Sequence, residues 1–368
     1  MHALILGAAG MIGRRLVDAL VDTGQVGGQP LTGLTLLDVV APTAPEGVPG
    51  PVRAEAADLS VPGAAEAAIR DRPEVIFHLA AVVSGEAEAN FDLGYRVNLD
   101  ATRFLFEAIR AIEGYRPKVV FTSSLAVFGP PFPAVIPDDY ILRPATSYGT
   151  QKAMGEMLLA DYARRGIFDG IGLRLPTICV RPGKPNKAAS GFFSGIIREP
   201  LAGQEARLPV PDTVRHWFAS PAAAVGFLTH AAALDLTRLG TRRSLTMPGV
   251  SATVAEEIEA LRRAAGDKAV ALIRREPDEA VMRIVETWPA AFDTQAATDL
   301  GFQADASFDA IVAQHIAEFH GGEGAESALP TSSSLRAKRS NPGKRDVSNR
   351  SAAGLLRFAR NDGAGIAV

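Results

Sequence analysis

The chain has 368 residues, 38 Lys and Arg against 41 Asp and Glu, 47% apolar residues and one cysteine, Cys179. Length and apolar fraction suit one large α/β unit or a two-lobed enzyme and exclude wholesale disorder. The lone cysteine excludes an intramolecular disulfide framework and any multi-cysteine zinc site, and a net charge of −3 gives no reason to expect a nucleic-acid partner.

Ala3–Leu6 reads as a strand that runs straight into Gly7-Ala-Ala-Gly10-Met11-Ile12-Gly13. Met11–Thr23 repeats its apolar positions at Ile12, Leu16 and Leu20 before Gly24, which predicts a helix closed by that glycine. Gly7 permits a tight turn, Gly10 lets the backbone approach a pyrophosphate, and Gly13 lets the helix pack closely on the strand. The helix start, at Met11 and Ile12, then offers free N–H groups and partial positive charge to the phosphates. Leu34–Leu37 is the next strand, ended by Asp38. A carboxylate there accepts bonds from the adenosine 2′- and 3′-hydroxyls and repels a 2′-phosphate, which favours NAD over NADP. Arg14 and Arg15, just past the glycines, are the residues that would speak for NADP. Asp58-Leu59 suits a contact with adenine, the alternative being a loop or helix-cap aspartate.

Strands at Val75–Ala81, Val119–Ser123 and Ile171–Ile178 alternate with helices at Val97–Ile112 and Gly149–Arg165. This alternation predicts a doubly wound parallel Rossmann sheet, an α/β domain over residues 1–180. Tyr148 and Lys152 lie four apart on the second of these helices, on one face and one turn from each other. A tyrosine titrates near pH 10, and a neighbouring ammonium favours its phenolate. Thr122-Ser123-Ser124 closes the preceding strand, where a hydroxyl points into the crevice at the strand ends. Ser124 is then placed to hold a substrate oxygen while Tyr148 moves its proton, and Lys152 to bind the nicotinamide ribose.

After Arg181 the pattern shifts. A Pro-, Gly- and Lys-rich loop with Lys184, Asn186 and Lys187 leads to a helix near Phe192–Arg198 and an Ala-rich helix at Ser220–Leu234. Ser244–Met247 follows as a strand, then a capping box of Thr253 and Glu256 on a helix ending near Gly266, a strand at Ala269–Glu276, and a helix at Phe308–Phe319. Residues 181–213 and 250–320 are expected to form a smaller α+β substrate-binding lobe, with 214–249 returning to the first domain. The cations Arg181 and Arg215, with Asn186, are the candidate holders of an anionic substrate group. Arg174 and His78, inside strands, read as structural, and Trp217 as either core or substrate cover. In residues 321–368, eight Lys and Arg face four acids and one aromatic, Phe358. This basic tail is expected to be a disordered, dispensable extension. No basic segment precedes the first apolar stretch, and Ala222–Leu234 is too short for a membrane span, so a cytoplasmic protein without a membrane contact is expected.

The ordered set GAAGMIG, LLD, ADL, HLAA, NLDAT, TSSLAVFG, YGTQK and LRLPTI resembles the extended short-chain dehydrogenase/reductase family, also called the NAD-dependent epimerase/dehydratase family, over residues 1–320. The resemblance implies NAD as cofactor, no metal, Ser124, Tyr148 and Lys152 as the catalytic set, and Asn98 as the asparagine that bends its helix and anchors a water relay. It also implies that Ala80 and Pro176 lie against the cofactor, and that two copies pair as a homodimer. Phe128 departs from the tyrosine of many members. LRLPTICVRPGKPNKAASGFF, RHWFASP and TMPG are similar to a narrower branch that oxidises small sugar acids, which implies oxidation of a four-carbon acid at C2. The same triad serves nucleotide-sugar epimerases and dehydratases that retain their NAD, and a cofactor-sensing binding protein of this fold is a third alternative.

Overall fold

In the computed structural model, residues 1–183 and 189–320 are described. Seven strands are parallel: β1 (His2–Leu6), β2 (Gly33–Asp38), β3 (Val52–Ala56), β4 (Val75–His78), β5 (Lys118–Ser124), β6 (Asp169–Leu175) and β10 (Ser244–Thr246). Their order across the sheet is β10-β6-β5-β4-β1-β2-β3. The order reverses between β1 and β4, and the crevice beyond the strand ends at that switch is where ligands of such sheets bind.

Helices cover both faces, which is why the central strands are apolar on both sides. On one face α1 (Met11–Thr23) and α6 (Pro221–Ala233) join a cluster that includes Leu16, Leu20, Phe77, Phe227 and Leu228. On the other, α2 (Ala64–Ala68), α3 (Ala101–Arg110) and α4 (Ser147–Arg164) enclose Leu105, Phe106, Phe121 and Leu159. Burying a side chain of Phe106's kind contributes about 1.5–3 kcal/mol. Caps set the helix starts: the Ser220 hydroxyl accepts from Ala223 N at 2.9 Å ahead of Pro221, and the Thr146 hydroxyl accepts from Gly149 N at 3.1 Å.

The chain leaves the sheet through β7 (Thr177–Ile178), then forms α5 (Gly191–Leu201), β8 (Ala206–Leu208) and β9 (Arg215–Ala219). Later come β11 (Val250–Thr253), α7 (Val254–Val270), β12 (Ile273–Arg275) and α8 (Phe308–Phe319). Strand β9 lies between β7 and β11, β8 pairs with β12, and their helices share a separate apolar cluster around Phe193, Phe218, Ile258, Leu261 and Ile311.

Several elements differ from the sequence expectation. The expected strand Ala269–Glu276 is only Ile273–Arg275: Gly266, at φ +74°, kinks α7, and the chain resumes helical turns to Val270. The helix expected from Val97 begins earlier, with a short helix at Phe91–Gly94 and a wide π-helical turn at Tyr95–Asp100. The capping box is present, with Glu256 N donating to the Thr253 hydroxyl at 3.1 Å and Thr253 N donating to the Glu256 carboxylate at 2.6 Å. Among the described residues no helix is long and apolar enough to cross a membrane. The basic tail 321–368 and Lys184, Asn186 and Lys187 lie outside the described residues.

Candidate active site

The turn after β1 is built for close approach. Gly7 sits at φ +88°, and a methyl there would lie 2.7 Å from Ala80 N; one on Gly13 would lie 2.1 Å from the Gly7 carbonyl oxygen. Gly10 is the N-cap of α1, and no side chain caps that helix. Its first N–H groups are therefore left for an anion, with the positive end of the helix behind them. Gly13→Ala is expected to force the turn open and weaken NADH binding by at least about tenfold. Fluorescence titration with NADH reads this directly, and an unchanged affinity would contradict it.

Asp38 stands at the end of β2 with its carboxylate over this turn, accepting from Ala9 N at 2.9 Å and Val39 N at 2.7 Å. Arg15 points away to an ion pair with Glu318 at 2.7 Å, and Arg14 donates to the Ala9 carbonyl at 2.6 Å. Asp38 and Arg14 thus both bond to the turn at Ala9, and the Asp38 carboxylate is the group that a free ribose requires. Asp58 is exposed and caps its own turn, accepting from Ser60 N and the Ser60 hydroxyl, while Leu59 is buried. The residues present fit a dinucleotide: a glycine cradle, an uncapped helix start and an acid at the second strand end.

A cavity of about 220 Å³ runs from Met11 and Ile12, past Ser124, Tyr148, Lys152 and Pro176, to Arg181, His216 and Trp288. Strand β5 delivers Ser124 and helix α4 delivers Tyr148 and Lys152. The Lys152 ammonium donates to the Thr122 carbonyl at 2.9 Å and lies 5.8 Å from the centre of the Tyr148 ring. Four residues further along the same face is Glu156, which pairs with Arg174 at 2.7 Å and accepts from the Ser123 hydroxyl at 2.5 Å.

Burial raises the Tyr148 phenol above its ordinary value; the adjacent Ser124 hydroxyl and the Arg181 charge oppose the rise. This corrects the expectation that the ammonium sets the direction: desolvation of the phenolate sets it, and the charge that opposes it is that of Arg181. Burial also pulls Lys152 down, to about 8, with Glu156 opposing. The productive pair is a phenolate beside an ammonium. Below about pH 8 the phenolate fraction grows about tenfold per unit while the ammonium persists, and above it the two changes cancel. The log of kcat/KM for alcohol oxidation is therefore expected to climb with pH and level off near 8, where Lys152 titrates. A profile flat from about pH 6 to about pH 8 would contradict this assignment.

Asn98 sits in the wide turn, buried. Its amide donates to the Val82 carbonyl at 3.2 Å and to Gln151 at 2.8 Å, and its oxygen accepts from Val82 N at 2.8 Å. These bonds tie the segment after Ala80 to α4. Arg215 is not brought to the cavity. Alternation along β9 turns it outward, to Glu256 at 3.3 Å and the Ser251 carbonyl at 3.1 Å, and turns His216 inward. His216 is bonded to the Thr177 hydroxyl at 2.7 Å and is held neutral by burial, which pulls it to about 4. His78 is likewise buried, bonded to Thr102 at 2.9 Å. Trp217 packs in the core on Phe292 and donates to the Met247 carbonyl. Sequence reasoning missed Glu156, Thr177, Trp288 and Pro289. Only Glu156, spaced one further turn beyond Lys152, carried a signal that could have found it.

The model of the NAD dependent epimerase/dehydratase family matches residues 3–219. D-erythronate dehydrogenase of Cupriavidus necator is 52% identical over 316 residues, covering 85% of this chain and 97% of that protein. D-erythronate dehydrogenase of Haemophilus influenzae is 42% identical over 318 residues, covering 86% and 99%. A crystal structure described as the nucleoside-diphosphate-sugar epimerase from Agrobacterium tumefaciens superposes with a TM-score of 0.86 at 62% identity, covering 88% of this chain and 95% of that one. The chain belongs to the NAD dependent epimerase/dehydratase family.

Proposed function

We propose that this family member oxidises a secondary hydroxyl of a small sugar acid with NAD, and that its substrate is D-erythronate, converted to 2-keto-D-erythronate. One observation carries the reading: a single small cavity joins the glycine turn to Ser124, Tyr148 and Lys152, and its far end holds Arg181. Two relatives that share most of this chain's length bear the name D-erythronate dehydrogenase, which supports the same substrate.

NAD, held by Gly7, Gly10, Gly13 and the helix start, with Asp38, Asp58, Leu59, Ala80 and Pro176 around it, supplies the hydride acceptor when bound. Ser124 orients the substrate hydroxyl. Tyr148, as phenolate, takes the hydroxyl proton as the carbon gives up its hydride and the C–O bond becomes a carbonyl. Lys152 supports the phenolate electrostatically and is placed to hold the ribose. We place the enzyme in the cytoplasm as a homodimer; exposed Phe91, Met154 and Met157 supply apolar surface for a second copy.

The Agrobacterium structure bears an epimerase's name, and an epimerase would use the same triad without releasing NADH. An absorbance assay at the NADH band, with a panel of four-carbon acids and UDP-sugars as controls, separates the two. NADH accumulating with D-erythronate is the expected result. Interconversion of a UDP-sugar without NADH would overturn the reading.

A further inference from the structure

At the far end of the cavity is a cation, Arg181, that pairs with no carboxylate among the described residues. Arg181 is held at nearly every point but one. Its main-chain N–H donates to the Ser194 hydroxyl at 3.0 Å, and its carbonyl accepts from Arg198 at 2.6 Å. Its Nε donates to the Ile178 carbonyl at 3.0 Å and one Nη to the Ser190 hydroxyl at 3.0 Å. All these partners are neutral except Arg198, which is itself a cation. The other Nη donates to no described residue, and Arg181 lines the cavity.

The neighbouring arginines are treated differently. Arg174 is paired with Glu156 at 2.7 Å and Arg198 with Glu199 at 2.5 Å. Among the described residues no carboxylate pairs with Arg181. Residues 184–188 include no acid in their sequence. Partly burying a guanidinium without an anion costs desolvation energy that a bound carboxylate recovers, and the planar fork of arginine suits that group. Arg181 and Tyr148 line the same cavity. The hydroxyls for the rest of an acid's chain have partners in Thr177 and Ser190, which line the same cavity with His216 and Trp288.

We propose that Arg181 is the receptor for the substrate carboxylate and that, by fixing it, Arg181 presents the adjacent C2 hydroxyl to Tyr148. The enzyme then selects 2-hydroxy acids over neutral polyols and amides and sets the carbon that is oxidised. This rests on the dehydrogenase reading, and its test is arranged so that the two fail separately.

The experiment compares D-erythronate with its neutral isostere, D-erythronamide, in the wild type, Arg181→Gln and Arg181→Lys. Wild type is expected to prefer the acid by about 10²–10³ in kcat/KM, mostly through KM. Arg181→Gln is expected to bring the two within about tenfold of each other, with Arg181→Lys between, because a point charge replaces the fork. NADH affinity, measured on each variant, reports the intact fold and the intact cofactor site. An acid preference in Arg181→Gln equal to the wild type's would overturn the proposal and leave the dehydrogenase reading standing. Should wild type turn over no acid at all, the function reading falls, and calorimetry of D-erythronate with the NADH-bound protein still decides about Arg181. Binding lost in Arg181→Gln supports the receptor, and binding retained overturns it.

Discussion

Replacing Tyr148 by phenylalanine is expected to lower kcat/KM by about 10²–10⁴ while NADH still binds, because the change removes the proton acceptor and little else. The ring stays packed on α4 beside Lys152, whose ammonium remains bonded to the Thr122 carbonyl at 2.9 Å. Ser124 keeps its own bond, accepting from Ala126 N at 3.2 Å, so the strand end does not depend on the phenol. The loss therefore falls on kcat, and it removes the alkaline rise of the pH profile, since the residue that titrates is gone. Turnover within about twofold of wild type would show that another group takes the proton.

Glu156→Gln is expected to cost about 3–5 kcal/mol of stability, the largest structural effect proposed for this chain. Glu156 is 4% exposed and Arg174 is 7% exposed, so the glutamine would leave a guanidinium stranded in the interior. Two of the bonds to Arg174, at 2.9 Å and 2.7 Å, lose their charge, and so does the acceptor of the Ser123 hydroxyl. Glu156 also raises the Lys152 pKa, so its loss drives that ammonium further toward neutrality and moves the plateau of the pH profile to lower values. Urea unfolding measures the first effect and the rate profile the second. The double variant Glu156→Leu, Arg174→Met is expected to recover most of the stability, because replacing both charges leaves none uncompensated. A single-variant loss below about 1 kcal/mol would mean that water enters and solvates Arg174.

Much of this was legible in the chain itself, where local pattern and tertiary context agree. Helices at Met11–Thr23 and Phe308–Phe319 have the limits their apolar spacing predicts, and the capping box of Thr253 and Glu256 is formed. The glycine turn, Asp38, Ser124, Tyr148 and Lys152 were legible because strand ends and single helix faces place them by geometry alone. What was not legible depends on long-range partners. Edge strand β3 reads VRAEA, without the apolar run of a buried strand, and exists through its pairing with β2. Trp288 and Pro289 reach the cavity from a stretch with no periodic signal, carried there by the packing of the substrate lobe. Arg215 and His216 are adjacent in sequence, and only the registry of β9 against β11, Arg215 opposite Thr253 and His216 opposite Ala252, decides which of them faces inward.

The central claim is that a dinucleotide seated on the first strand-turn-helix unit presents its reactive ring to the Ser124, Tyr148 and Lys152 side chains across the cavity. A crystal structure with NADH and D-erythronate tests it directly. The account predicts the nicotinamide stacked against the cavity wall with the substrate carbon between it and the Tyr148 hydroxyl, and the carboxylate on Arg181. A nicotinamide turned out of the cavity, or a Tyr148 hydroxyl beyond hydrogen-bonding reach of the bound acid, would contradict it.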